Sequence, residues 1–251
     1  MLLGNYNHTG LVRKRSFAIS GLKIAQGRLV PLLGAFLASL LIWPPLHSAR
    51  AQAHEEVVDR VQERYEMTRN LEAHFTQRAT LKILNETQLS SGKVYIMKPG
   101  KMRWDYLQPE NQVILLNEDT LSVYTPEINQ LLEQPIANTY RAKSPIAFLA
   151  GQGKIREIFW VRVEPMDGRE GGAAWRLILT PKEENPQLKE LRLEVAGGTY
   201  DIVRTVIVDY FGNVTDIRYE NLQINGNIEE EIFVLKLPPG VQRVRPPSIP
   251  Y

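Results

Sequence analysis

MKPGKMRWDYLQPENQ, residues 97–112, alternates Met and aromatic side chains with charged ones between two prolines. Alternation with a period of two is typical of a β-strand, in which successive side chains point to opposite faces. The Pro99-Gly100 turn therefore precedes a predicted strand whose apolar face carries Met102, Trp104 and Tyr106. That face is either part of a solid core or the wall of an internal space, and both interpretations stay open.

Similar patterns continue on both sides of this stretch. Residues 54–70 carry a helical stripe of Val57, Val58, Val61 and Tyr65, and from Leu71 onward the period changes to that of a strand. Strand-like runs separated by Gly, Pro, Asn and Asp then continue as far as IFVLKL, residues 232–237. In SPIAFLAGQGKIREIF, residues 144–159, we predict one or two short apolar helices. The tail VQRVRPPSIPY, residues 241–251, is too rich in proline to be expected in a sheet.

This order of elements predicts a mainly β fold of the α+β class. We expect an unclosed antiparallel β-barrel, or a strongly curved sheet, capped by a few α-helices. Large aromatic and Met side chains on the inner face of such a sheet could leave an internal space beneath the helices.

The first 53 residues have the composition of a secretory signal peptide. They contain six basic residues and no acidic one, followed by the apolar run LVPLLGAFLASLLIW, residues 29–43, and by Ala51-Gln52-Ala53. Fifteen apolar residues are short for a membrane span, which needs about 20. We therefore expect export, cleavage after Ala53 and a single domain over residues 54–251. An uncleaved N-terminal anchor is the alternative, and the choice between Sec and Tat export stays open.

Removal of this segment reverses the sign of the charge. Of the 30 basic residues, 24 remain after the six are subtracted, against 28 acidic ones, a net charge of −4. The sequence therefore gives no reason to expect nucleic-acid binding. Cysteine is absent, so disulfides, thiolate chemistry and zinc–thiolate sites are excluded.

The sequence contains no recognisable catalytic motif. The expected mature chain keeps two histidines, His54 and His74, and the latter is predicted on the polar side of its strand. The acidic runs Glu183-Glu184 and Glu229-Glu230-Glu231 lie in turn-like polar segments, as solvated loops do. We expect neither an enzyme nor a cofactor or metal site.

Four motifs in order are similar to those of the periplasmic outer-membrane lipoprotein carrier family, the LolA type. The motifs are Phe75-Thr76-Gln77, GKVYIMKPGKMRWDYLQP (residues 92–109), LTPKEENPQLK (residues 179–189) and FVLKLPPGV (residues 233–241). The resemblance implies an incomplete barrel closed by helices that holds acyl chains. It also implies loading from an inner-membrane ABC transporter complex and delivery to an outer-membrane receptor. Because this chain has no cysteine to acylate, it resembles the soluble carrier rather than the receptor. Lys98 stands where family members often carry Arg. Because lysine cannot make the planar two-pronged contact of arginine, the resemblance does not carry over a latch between this position and the helical lid.

The resemblance and the strand alternation together give the candidate site. The expected acyl-binding residues are Phe75, Met102, Trp104, Tyr106, Ile114, Phe148 and Leu149. A basic rim for a partner or a lipid headgroup is expected from Lys98, Lys101 and Arg103. We expect a monomer. The alternatives are a carrier of another lipid, such as a glycolipid or phospholipid, a lipid-acting esterase, and a sensor domain for mislocalised lipoproteins.

Overall fold

The computed structural model describes residues 46–117, 119–135, 148, 153–168, 172–183 and 188–244, with side chains from residue 54 onward. The described ranges contain α1 (Leu46–Met67) and α2 (Ile155–Ile158), the helical residue Phe148, and the 3-10 helices Pro126–Ile128 and Glu230–Phe233. The strands are β1 (Asn70–Leu81), β2 (Glu86–Met97), β3 (Lys101–Gln108), β4 (Gln112–Asn117), β5 (Thr120–Thr125), β6 (Gln130–Pro135), β7 (Phe159–Pro165), β8 (Ala173–Pro181), β9 (Glu190–Ala196), β10 (Ile202–Val208), β11 (Val214–Ile224) and β12 (Gln242–Val244).

All twelve strands belong to one sheet, in the order β12-β6-β5-β4-β3-β2-β1-β11-β10-β9-β8-β7. Two antiparallel meanders, β1 to β6 and β7 to β11, are joined side by side where β1 pairs with β11. The end strands β12 and β7 do not pair with each other within the described ranges, so the sheet is unclosed there. The predicted mainly β fold with few helices is confirmed.

The opening stretch forms β3 and the turn before it, with the predicted alternation. Met102 and Trp104 are buried on the inner face, opposite Leu116 and Ile114 of β4. On β2, Gly92 lies beneath the Phe75 ring, and a Cβ added there would lie 1.9 Å from the backbone oxygen of Asp105. Only glycine fits this position, because the close packing of β1, β2 and β3 leaves no room for a side chain.

The inner face of the sheet carries two separate apolar clusters. The first cluster packs α1 against β7–β10, and its buried members include Val57, Val58, Val61, Phe148, Ile155, Phe159, Leu177, Leu179, Leu191 and Leu193. The second cluster covers β1–β4 and β11, and its buried members are Ala73, Phe75, Val94, Met102, Trp104, Leu116 and Ile217. The helix therefore covers one half of the inner face directly and meets the other half along a seam.

Two predicted elements differ in the structure, and a third differs only at its end. IFVLKL is not a strand: a 3-10 helix ends at Phe233, which is buried, and the chain continues without regular structure across the outer face of β3. The tail does pair in the sheet, since β12 lies parallel to β6. In the segment 144–159 the predicted short helices are present at Phe148 and in α2, and only its last residue differs, since Phe159 begins β7. The local patterns failed here because long-range pairing, rather than periodicity, selects the conformation of short segments.

Helix α1 extends further toward the N-terminus than the predicted start at residue 54. Its end is fixed by Asn225, whose side chain donates to the backbone oxygen of Met67 (3.1 Å) and accepts from the backbone N–H of Arg69 (2.7 Å). The predicted cleavage point after Ala53 lies inside this helix, and the buried residues Val57, Val58 and Val61 follow that point. Residues 1–45 lie outside the described ranges. In the ranges that are described, no helix combines the length and apolar character needed to cross a membrane.

Candidate functional site: an apolar pocket at the seam beneath α1

A pocket with mainly apolar walls lies where the two clusters meet under the C-terminal half of α1. It is lined by Val61, Arg64, Tyr65, Thr68, Leu71, Ile96, Lys98, Tyr200, Asp201, Ile202, Tyr219 and Ile224. Val61, Tyr65, Tyr200 and Ile202 belong to or pack on the first cluster, and Leu71, Ile96 and Tyr219 pack on the second. The pocket is therefore the gap that remains between two cores that do not merge.

The pocket is small. The cavity volume is about 70 Å³, and one water needs about 10–15 Å³ of such space. This space holds roughly five to seven waters, much less than a long acyl chain needs. A long apolar ligand can enter only if the seam widens, and the element that bridges the seam is α1.

Two polar contacts hold the C-terminal half of α1 down at the pocket mouth. The Arg64 guanidinium donates to the Asp201 carboxylate (2.5 Å) in the turn before β10. From the turn before β3, the Lys98 ammonium donates to the backbone oxygen of Tyr65 and lies 3.6 Å from the centre of the Tyr65 ring. One contact therefore comes from each side of the seam, so that both must adjust when the helix moves.

The pKa values of two groups at the pocket reflect their removal from water. Burial lowers the pKa of Lys98 to about 8, with nearby Glu66 opposing the shift. Burial raises the pKa of the Tyr219 phenol to about 12, and the nearby Thr205 hydroxyl opposes this shift to a smaller extent. Both shifts have the direction that a dry pocket imposes, since burial disfavours the charged form of each group.

The predicted acyl-binding residues fall into the two clusters rather than around one cavity. Phe75, Met102 and Trp104 are buried in the second cluster, with Tyr106 and Ile114 packed at its edge. Their rings are in close contact: the Phe75 centroid lies 4.7 Å from that of Trp104 and 5.0 Å from that of Tyr106. Phe148 lies in the first cluster, stacked on Tyr65 at 5.0 Å. Leu149 lies outside the described residues.

The three predicted rim cations are not brought together. Lys98 lies at the pocket, whereas Lys101 and Arg103 project from the opposite face of β3, as strand alternation requires. Lys101 contacts the Glu230 carboxylate at 3.3 Å, and Arg103 donates to Asp105 and to the backbone oxygen of Ile232, both at 2.7 Å. These two residues thus hold the segment after β11 on the outer face.

Several pocket residues were not predicted from the sequence. Tyr200, Ile202, Tyr219 and Ile224 come from β10, β11 and the turn before β10, far along the chain from α1. Ile217 and Tyr219 are two residues apart in β11 and therefore share its inward face. What that face contacts depends on the register of β1 against β11, in which Phe75 lies opposite Tyr219. Among the other lining residues, Val61 and Tyr65 were marked in advance by the helical stripe, Leu71 by the strand alternation that follows it, and Lys98 as a rim residue.

The titratable groups found in the sequence form no reactive arrangement in the described ranges. His74 is exposed on the outer face of β1, and Glu230 and Glu231 pair with Lys101 and Lys236. No group of three or more His, Asp or Glu side chains there is placed to hold a metal ion. The pocket as described can bind and enclose an apolar group.

Comparison with known proteins gives consistent matches. The model of the family described as outer membrane lipoprotein carrier protein LolA matches residues 66–236. An outer-membrane lipoprotein carrier protein of Dechloromonas aromatica is 28% identical over 192 residues, which cover 76% of this chain and 89% of that protein. One from Methylobacillus flagellatus is 30% identical over 180 residues, covering 72% and 84%. Among solved structures, a LolA superfamily protein of Nitrosomonas europaea is 12% identical with a TM-score of 0.42, covering 72% of this chain and 97% of that one.

Proposed function

Because the chain belongs to the LolA family of outer membrane lipoprotein carrier proteins, we propose that it is a periplasmic carrier of lipoproteins. In this proposal it takes the acyl chains of a lipoprotein from the inner membrane, encloses them, and releases them at the outer membrane. The observation that carries the proposal is the apolar pocket at the seam beneath α1. The low polarity of its walls suits an acyl chain and offers little to a polar substrate.

The energetics of transfer explain why such a pocket is needed. Each methylene moved from water into an apolar environment contributes about 0.8 kcal/mol. Two or three acyl chains would therefore cost on the order of tens of kcal/mol to expose to water. A carrier must also release its cargo. Its pocket should therefore be only about as favourable for acyl chains as a bilayer is, and more loosely packed than a protein core. A seam between two cores meets both needs, because it can open without either core unfolding.

Opening of the seam would recruit the residues predicted to bind acyl chains. Leu71, Ile96 and Tyr219 separate the pocket from the second cluster. Their displacement would expose an acyl-binding wall of Phe75, Met102, Trp104, Tyr106 and Ile114. On the other side, movement of Tyr65 with α1 would uncover Phe148, and neighbouring Leu149 is proposed to contribute there. In this mechanism α1 is the lid, and Arg64 and Lys98 set how readily it opens.

Partner contacts and export are further parts of the proposal. An inner-membrane ABC transporter complex would load the carrier and an outer-membrane receptor would unload it. Of the three rim cations, Lys98 is the one placed to respond to a partner at the pocket mouth. Export would require the N-terminal segment, with cleavage after Ala53 leaving a 14-residue helix, residues 54–67, that keeps the buried stripe.

A binding experiment with a fluorescent triacylated lipopeptide tests the carrier function. The purified protein should bind it with saturation and keep it in solution. Leu71→Trp, which fills the pocket, should weaken this binding at least tenfold, because each excluded side-chain-sized apolar contact is worth about 1.5–3 kcal/mol. Leu107→Trp is the matched control, since Leu107 is 55% exposed and lies away from the pocket.

The outcomes separate the alternatives. Lipopeptide binding that Leu71→Trp and Leu107→Trp affect equally would place the acyl site elsewhere. Native mass spectrometry of the protein purified from its own periplasm would weigh the bound cargo. A glycolipid or phospholipid in place of a lipoprotein would keep the pocket but overturn the proposed cargo.

A further inference from the structure

Two neighbouring hairpin turns carry a patch of exposed apolar side chains. One turn joins β1 to β2 at residues 82–85, and the other joins β10 to β11 at residues 209–213. They lie side by side, because β1 pairs with β11 as far as Thr80 opposite Val214, and the backbone N–H of Lys82 donates to the Asn213 side chain at 3.0 Å. We call this surface the hairpin-tip patch; its members are Leu81, Ile83, Leu84, Tyr210 and Phe211.

The exposure of these side chains is large for so small a region. Ile83 is 79% exposed, Phe211 67% and Leu84 61%. Single exposed apolar residues are normal on protein surfaces, but a contiguous group marks an interaction site. Folding does not explain them either. The first turn needs a residue that tolerates positive φ, which Asn85 supplies (φ 52°), and polar residues would serve its other positions equally well.

The shape of the patch favours a flat, soft partner. Pairing between β2 and β3 begins only at Ser91, so residues 86–90 of β2 extend beyond the end of β3. The apolar side chains therefore stand on projecting turns rather than in a groove that could receive a helix or a peptide. Projecting turns that carry aliphatic and aromatic residues suit the interfacial region of a lipid bilayer, where Tyr and other amphipathic rings are favoured.

The charge around the patch indicates how such a contact would be driven. Residues 78–89 and 209–218 contain three basic and three acidic side chains: Arg78, Lys82, Arg218, Glu86, Asp209 and Asp216. A neutral surface gains little from attraction to anionic lipid. Association would depend on apolar insertion, with weak sensitivity to salt and to lipid headgroup charge.

We propose that the hairpin-tip patch inserts into the surface of a lipid bilayer and docks the protein there reversibly. The patch lies at the far end of β1 from the pocket: Leu71 lines the pocket and Leu81 lies ten residues further, about 33 Å along the strand. Membrane docking and cargo binding therefore use separate surfaces. The proposal holds whether the cargo is a lipoprotein or another lipid.

The absence of cysteine makes a direct test possible. Leu84→Cys provides a single labelling site for an environment-sensitive fluorophore such as NBD, and Val234→Cys, in the outer-face segment after Phe233, provides a control at a site of similar exposure (55%). With phosphatidylcholine vesicles, the label at residue 84 should shift to blue emission with increased intensity, while the label at residue 234 should not change. Because the readout is local, vesicle binding by another part of the chain does not imitate it.

A second measurement gives the size of the effect. In vesicle co-flotation, Ile83→Ser combined with Phe211→Ser should lower vesicle affinity about a hundredfold, roughly tenfold for each apolar side chain withdrawn from the bilayer. Val234→Ser should leave it unchanged, as should the inclusion of phosphatidylglycerol in the vesicles. The proposal is overturned if the label at residue 84 stays in water with vesicles, or if it is shielded only after a protein partner is added. Neither outcome bears on lipopeptide binding, which tests the carrier function separately.

Discussion

Replacement of Trp104 by Ala tests whether the second cluster is a solid core in the closed protein. The indole is 8% exposed and touches rings on several sides: Phe75 at 4.7 Å, Tyr106 at 6.4 Å and Tyr219 at 6.4 Å between centroids. Removal of a large aromatic side chain from such packing costs about 3–5 kcal/mol, because the transfer free energy is lost and a cavity remains. A domain with about 5–15 kcal/mol of stability should survive this change in weakened form.

The assay is urea unfolding followed by circular dichroism. With a slope of about 2 kcal/mol/M, the unfolding midpoint of Trp104→Ala should fall by about 1.5–2.5 M. Trp160→Ala is the control, since Trp160 is 66% exposed and its ring contact is with the Lys182 ammonium at 4.7 Å. That exposed contact is worth about 0.5–1 kcal/mol. A loss for Trp104→Ala no larger than that of the control would refute the solid packing.

The same variant tests the proposed acyl wall. Lipopeptide binding is measured without denaturant, where the variant is still folded. If the opened seam exposes Trp104 to cargo, affinity should fall about tenfold, the equivalent of one lost apolar side-chain contact. An affinity equal to that of Trp160→Ala, together with the large loss of stability, would show that Trp104 is core and not wall.

The remaining predictions concern the lid, the tight strand contact and processing. Since the pKa of Lys98 is about 8 in the folded protein against an ordinary 10.5, the folded state binds fewer protons there and gains stability as pH rises from 8. The stability of wild type relative to Lys98→Met should therefore increase between pH 8 and 9.5 in denaturant titrations, and a constant difference would contradict the shift. Asp201→Asn should loosen α1 by about 1 kcal/mol and speed lipopeptide uptake about fivefold in stopped-flow measurements, whereas Glu63→Gln, on the exposed side of the same helix, should not. Gly92→Ala should cost about 1–3 kcal/mol in urea unfolding through overpacking against the Asp105 backbone; an unchanged midpoint would show that β2 and β3 can separate. N-terminal sequencing of the exported protein should begin at His54, and a full-length product in the membrane would indicate an anchor instead.

The sequence alone determined those features that depend on neighbours in the chain. Alternation along residues 102–106 placed Met102 and Trp104 on the inner face and Arg103 on the other, because side-chain direction in a strand follows from backbone geometry. The stripe of Val57, Val58 and Val61 placed α1 on a core for the same kind of reason. Together with the turn residues between strands, these local periods were enough for the fold class.

Only the tertiary structure decided which of these faces meet. The pairing of β1 with β11 brings Tyr219 opposite Phe75, from residues more than 140 positions apart, and the turn before β10 brings Asp201 to Arg64. The inner face holds two cores with a gap between them, so the pocket is lined by residues at the seam rather than by the aromatic residues that drew attention in the sequence. Lys98 was separated from Lys101 and Arg103 because the turn before β3 directs it toward α1, while the strand directs the other two to the outer face. Such placements depend on register and long-range contact energies, which no local period of the sequence encodes.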